Sequence, residues 1–160
     1  MPPEAPPGGR VLPIVMHPDP RLREACEPVG APDEAVRMLA RDMLATMYAA
    51  PGRGLAAPQV GELRRMLVMD VRWKEADPSP IVMIDPVVED ASERRVAGEE
   101  ACLSIPGEPR EVERPAEVTV AWTDLDGARL VRRLTGAEAR CAQHEIDHLD
   151  GVLILDRAGG

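Results

Sequence analysis

Phenylalanine is missing from this chain, and aromatic residues make up only 2% of its 160 positions. Its core must therefore be built from Leu, Val, Ile, Ala and Met, and the aromatic platforms on which single-stranded nucleic acids stack are excluded. Positive charge is also scarce. The 19 Lys and Arg stand against 28 Asp and Glu, a net charge of −9, which argues against nucleic acid or an anionic membrane as partner. No apolar run approaches the ~18 to 20 residues that span a bilayer. The opening MPPEAPPGGR has neither the hydrophobic segment of a signal peptide nor the repeated Arg of a transit peptide, so a cytoplasmic protein is expected. The three cysteines, Cys26, Cys102 and Cys141, are too few and too irregular for a disulfide framework; they suit free thiols or a metal ligand.

What is present is ordinary globular material, 44% hydrophobic and 29% charged, at a length suited to one compact domain. Residues 1–10 are rich in Pro and Gly and read as a flexible N-terminal arm, leaving 11–160 as a single catalytic domain. Pro18 and Pro20 around Asp19 signal a turn, with His17 as a loop residue beside it. From Asp33 to about Ala50 the apolar positions Val36, Leu39, Ala40, Met43 and Met47 repeat as on an amphipathic helix that Asp33 would cap. Pro51, Gly52 and Gly54 end it. The small residues of PGRGLAAPQVG, 51–61, would then let backbone lie close against a neighbour, with substrate a candidate. Short β-type runs follow at 66–70, 81–85, 118–124 and 128–134, the last two joined by Asp126-Gly127 as a hairpin. Thr135 and Glu138 form a capping-box pattern opening a second helix, Asp150-Gly151 closes it, and VLILD reads as a final strand. With few βαβ alternations, the expected class is α+β: mainly antiparallel β-sheets packed around the second helix.

That second helix carries HExxH. Its His144 and His148 lie about 40° apart in projection and ~6 Å apart along the axis, so both imidazoles can reach one ion. Glu145 sits to the side, placed to touch a water without being a ligand. A surface ion-pair cluster is the competing reading, but the helix signals turn Ile146 and Leu149 to a core. A catalytic site of this type needs a third protein ligand and an open position. Downstream, only Asp150 and Asp156 remain. Cys141 is on the same face, yet ~10 Å of axial separation from His148 puts its short thiol out of reach of an ion centred between the histidines. Cys26 lies in an acidic loop; Cys102, in a short apolar segment bounded by Gly98 and Gly107, is the favoured third ligand.

Three motifs then stand in order, GRGLAAPQ (52–59), EACLS (100–104) and QHEIDHLDG (143–151), and together they resemble the peptide deformylase family over nearly the whole chain. The family removes the formyl group from the N-terminal methionine of new bacterial and organellar proteins. The resemblance implies a deformylase-like fold and N-formylated nascent peptides as partners, with Cys102, His144 and His148 as metal ligands and Glu145 as general acid and base. It further implies Gln59 and the Leu103 backbone N–H as oxyanion donors, and Gly54 as a backbone contact to substrate, within the stretch from Gly52 through Arg53 that would line the pocket. The implied ion is one divalent metal, typically Fe2+, replaceable by Zn2+, Ni2+ or Co2+.

Departures from the family pattern raise questions. Ala101 replaces a usual Gly, so its backbone either avoids positive φ or accepts strain. Arg53 stands where an apolar residue is common; pointing inward it would disfavour methionine, pointing outward it is a solvated loop residue. Asp85, where relatives often have Asn, reads as structural. The chain stops at Gly160 without the C-terminal helix by which some relatives dock on the ribosome, which leaves that partner in doubt. The alternatives are a deformylase-like amidohydrolase with altered specificity and a metal-binding protein without activity, with a zincin-type endopeptidase behind both.

Overall fold

The computed structural model describes residues 9–158. Most of the expected flexible arm, residues 1–8, lies outside the described residues; at its end the Arg10 N–H donates to Asp42 Oδ1 at 2.8 Å. Helix α1 spans Glu34–Ala49 and starts as expected, the Asp33 carboxylate accepting the Val36 N–H at 2.9 Å. Strands β1 (Gly54–Ala56), β2 (Met66–Met69), β3 (Ile81–Ala91), β6 (Glu117–Thr123) and β7 (Arg129–Thr135) form one antiparallel sheet in the order β1-β2-β3-β6-β7. Strands β4 (Arg95–Cys102) and β5 (Ile105–Pro115) form a separate hairpin, and α2 (Gly136–Leu149) and the short α3 (Ile154–Arg157) complete the chain.

The five-stranded sheet lies between two helices, and strand alternation decides which side chain serves which. On one face, Leu67 and Met69 of β2 join Met83, Val120, Trp122 and Leu134 against Ala142, Ile146 and Leu149 of α2. On the other, Met66 and Val68 join Ile84, Leu55 and Trp73 against Val36, Met43 and Met47 of α1. Strand β2 is thus buried on both faces, which is why MLVM reads as an unbroken apolar run. A third cluster seats the β4–β5 hairpin, through Cys102, Ile105 and Val112, on Val15, Leu22, Leu153 and Ile154.

Several local expectations need correction. The β4–β5 hairpin was not anticipated as such: RVAGEEAC and IPGEPREVERP are largely exposed and charged, so the strands lack an apolar stripe. VLILD is not a strand. Its end forms α3, whose start is held by the Asp156 carboxylate accepting the Leu153 N–H at 2.8 Å. Helix α2 begins where Thr135 indicated, but Thr135 makes no side-chain cap; Glu138 instead accepts from Arg132 at 2.8 Å, so the pattern marked the boundary without forming the box. The Pro18–Pro20 turn is one 3-10 turn over Pro20–Arg23, with Asp19 accepting the Arg21 N–H. Asp85 is structural, as expected. It sits at φ 49° with its carboxylate accepting the Val29 and Gly30 N–H groups at 2.7 and 2.9 Å. Among the described residues no helix is long and apolar enough to cross a membrane.

Candidate metal centre

Helix α2 turns His144 and His148 toward the end of β4, where Cys102 waits. One ligand atom from each of the three residues lies within 4.8 Å of the others. Cys102 Sγ is 3.4 Å from His148 Nε2, close to the about 3.5 Å expected between a thiolate and an imidazole nitrogen on one tetrahedral ion. All three side chains are buried, and a thiolate with two imidazoles suits Fe, Zn, Ni or Co better than Ca or Mg. The donor set and its spacing therefore fit a transition metal. Cys141 is not in the group: its Sγ lies 3.6 Å from the Arg53 carbonyl oxygen.

Strand alternation explains how Cys102 reaches the centre and reveals a residue that sequence reasoning passed over. Ala101 points out while Glu100 and Cys102 point in. The Glu100 carboxylate meets His144 Nδ1 at 3.0 Å and accepts from Arg114 Nε at 2.6 Å, Arg114 Nη2 at 2.9 Å and Arg140 Nη1 at 2.6 Å. Burial alone would raise its pKa, but hydrogen bonds from His144 and Arg114 outweigh that and hold it down at about 2. An ionised Glu100 accepting from Nδ1–H leaves Nε2 of His144 free to face an ion. Period-two alternation from Cys102 was the signal for it, available once EACLS is read as strand. Ala101 keeps negative φ, since Asp85 is the one non-glycine at positive φ among the described residues.

Two buried polar atoms, Glu145 Oε1 and His148 Nδ1, have no hydrogen-bond partner among the described residues. Burial pushes the Glu145 carboxyl up to about 7, against the opposing pull of His144. It also pushes His148 down to about 3, helped by the positive charge of His144 and Arg114. For His144 burial again disfavours charge, but Glu145, Cys102 and Glu100 reverse the balance and raise it.

The centre opens on a cleft of about 770 Å³, ample for a short peptide. Gln59 faces it with its amide fixed: Oε1 accepts the Ala56 N–H at 3.0 Å, while Nε2 donates to Ser104 Oγ at 3.1 Å and lies 3.7 Å from Cys102 Sγ. Leu103, at the β4–β5 turn, also lines the cleft. Gly52 and Gly54 line it too, packed beside Leu103 and Glu145. A Cβ on Gly52 would fall 2.7 Å from Leu103 Cδ1, and one on Gly54 would fall 2.6 Å from both Cys141 Sγ and Glu145 Oε2. Between them Arg53 reaches to Glu75 on the rim, Nη2 to Oε1 2.5 Å, with both side chains well exposed. Its guanidinium is solvated and paired rather than inserted beside the metal group. His17 takes no part; its N–H donates to the Ser104 carbonyl at 2.9 Å.

An HExxH helix giving two imidazoles, a strand-end thiol and an adjacent buried carboxylate define, on this α+β frame, a metal-dependent hydrolase. Residues 11–160 match the family model described as polypeptide deformylase. The chain is 50% identical to a peptide deformylase of Mesorhizobium japonicum, over 91% of this chain and 83% of that protein. It superposes on the crystal structure of peptide deformylase from Thermotoga maritima with a TM-score of 0.88 at 38% identity, covering 94% and 99% of the two chains. A class I type b peptide deformylase from Acinetobacter baumannii, crystallised with Met-Ala-Ser bound, gives a TM-score of 0.86 at 34% identity over 92% and 98%. The chain belongs to the peptide deformylase family.

Proposed function

We propose that this protein hydrolyses the N-formyl group from the terminal methionine of newly made polypeptides, releasing formate and a free amino terminus. The observation that carries this reading is the convergence of Cys102, His144 and His148 beside Glu145, in a chain of the peptide deformylase family. Cys102, His144 and His148 hold one divalent ion, ferrous iron by preference with zinc, nickel or cobalt as substitutes. Bound there, the ion supplies Lewis acidity, lowering the pKa of water and polarising a carbonyl. Glu145 accepts the proton of the attacking water through its unpartnered Oε1 and returns it to the leaving nitrogen. Gln59 Nε2 and the Leu103 N–H donate to the oxygen on which negative charge develops. Glu100 keeps His144 in the tautomer and orientation that ligation requires. The glycines at 52 and 54 pack directly beside Leu103 and Glu145, and the cleft that all four line receives the extended peptide.

Residues 11–160 act as one catalytic unit, in the cytoplasm, on N-formylated nascent peptides. The outward course of Arg53 removes the ground for an acidic specificity, so formyl-methionyl peptides are the substrates of choice. Formate release from formyl-Met-Ala-Ser by the Fe(II)- or Ni(II)-loaded protein tests the proposal. Metal bound at one ion per chain without formate release refutes it.

A further inference from the structure

The cleft wall beside Leu103 and Glu145 is a short piece of chain, two glycines around one arginine, and something must fix it. Its carbonyls are pinned from a single segment: Trp73 Nε1 donates to Gly52 O at 2.8 Å, and the Asp70 N–H donates to Arg53 O at 2.8 Å. Both donors are locked by one side chain of α1. The Tyr48 ring meets the Trp73 ring edge-on, centroids 5.5 Å apart at 87°, and the Tyr48 hydroxyl donates to Asp70 Oδ2 at 2.7 Å. Asp70 Oδ2 also accepts the Ser79 N–H at 2.9 Å, closing the loop that carries Trp73. Trp73 is itself buried, while its neighbours Val71 and Lys74 line the cleft. The residues that tie it, Tyr48, Asp70 and Trp73, lie outside the three motifs that carry the chemistry.

We infer that Trp73 is a positioning residue for substrate: its indole N–H fixes the Gly52–Gly54 backbone in the place where, packed beside Leu103 and Glu145, it lines the cleft that takes the peptide. A Cβ on Gly52 would meet the end of the Leu103 side chain, so a drift of Gly52 displaces Leu103 and with it the lining of the cleft. A glycine-rich segment drifts unless its carbonyls are tied. The role concerns the peptide backbone rather than the reacting atoms, so it belongs to binding shared by ground and transition states and is read in KM. It rests on the deformylase reading above for its substrate, but not for its test.

Trp73→Phe keeps a ring against Tyr48 and removes only the donor. With metal-loaded protein and formyl-Met-Ala-Ser, the expected result is a KM raised at least fivefold, with kcat within twofold and metal content unchanged. Calorimetric affinity for Met-Ala-Ser should fall by the same factor, a result that stands even if no formate is released. An unchanged KM and affinity, or a loss confined to kcat, overturns the inference. If the variant does not fold, the wild-type indole N–H of Trp73, assigned through its contact with the Tyr48 ring, supplies the readout. Its resonance should move on titration with Met-Ala-Ser, and a resonance unmoved at saturation overturns the inference equally.

Discussion

Single side chains at the centre differ in what they risk when changed. Glu145 is buried beside the proposed ligands and outside their group, so Glu145→Gln should cut kcat by ~10²–10⁴-fold while metal content by atomic absorption stays the same. Loss of metal would instead place Glu145 among the ligands. Gly54→Ala drives a methyl to 2.6 Å from Cys141 Sγ and Glu145 Oε2, and formate release should fall about 10- to 100-fold through displacement of the base. Arg53→Ala should do little by comparison. Its partner Glu75 is exposed, so unfolding free energy should stay within about 0.5 kcal/mol, and the preference for formyl-methionyl over formyl-aspartyl peptides should persist. The direction of Arg53 could not be read from sequence, because Glu75 is separated from it by β2 and meets it only in the folded chain.

Among the elements, the β4–β5 hairpin carries the most consequence per apolar residue. Buried Arg114 bridges Glu100 of β4 to Asp147 of α2, at 2.6 and 2.9 Å. Removing it takes the bidentate partner from Glu100, which keeps Arg140 and His144, and leaves Asp147 to Arg157, so Arg114→Met should destabilise the protein by ~1–3 kcal/mol in urea unfolding. Helix α3 depends on a weaker device. Partial burial would raise the Asp156 carboxyl, but the Leu153 N–H and Arg23 outweigh it and hold it below the ordinary Asp range. A depressed folded pKa contributes stability above the unfolded value that is lost as pH falls below it. Asp156→Ala should thus cost about 1 kcal/mol near neutrality, with the difference from wild type shrinking below pH 3.8, as followed by thermal melts across pH. Amphipathic α1, the ribbon from β6 to β7 and the bounds of α2 were legible because their periodicity and turn residues act locally. The long charged hairpin was not, since β4 and β5 are stabilised mainly by each other and by Glu100–Arg114, a pairing fourteen positions apart in a stretch with no apolar alternation. Cys102 was legible as the candidate third ligand by elimination among three thiols, and it is the thiol that lies with His144 and His148. Glu100, two residues before it, needed the strand to be recognised first.

At the scale of the whole molecule the proposed ligands join parts that share little else: Cys102 stands in the hairpin seated on Val15, Leu22, Leu153 and Ile154, His144 and His148 on the helix covering the five-stranded sheet. A ligand bound only by the folded state stabilises it in proportion to the logarithm of its excess over Kd. Chelation should therefore lower the melting temperature by several degrees, and readdition of Ni(II) should restore it, as scanning calorimetry would show. An unchanged melting temperature, with removal of metal verified, would mean that the ion is not coupled to the fold.

The doubly buried β2 has an optical consequence as well. Each face of the sheet holds one tryptophan, Trp122 in the core under α2 and Trp73 in the core under α1, and the chain has no others. Because β2 contributes side chains to both cores, neither can dissolve alone. Emission from Trp122→Phe and Trp73→Phe proteins, each reporting one core, should trace superimposable unfolding curves in denaturant once scaled to their own midpoints, so that one shared strand makes two separate reporters keep the same time.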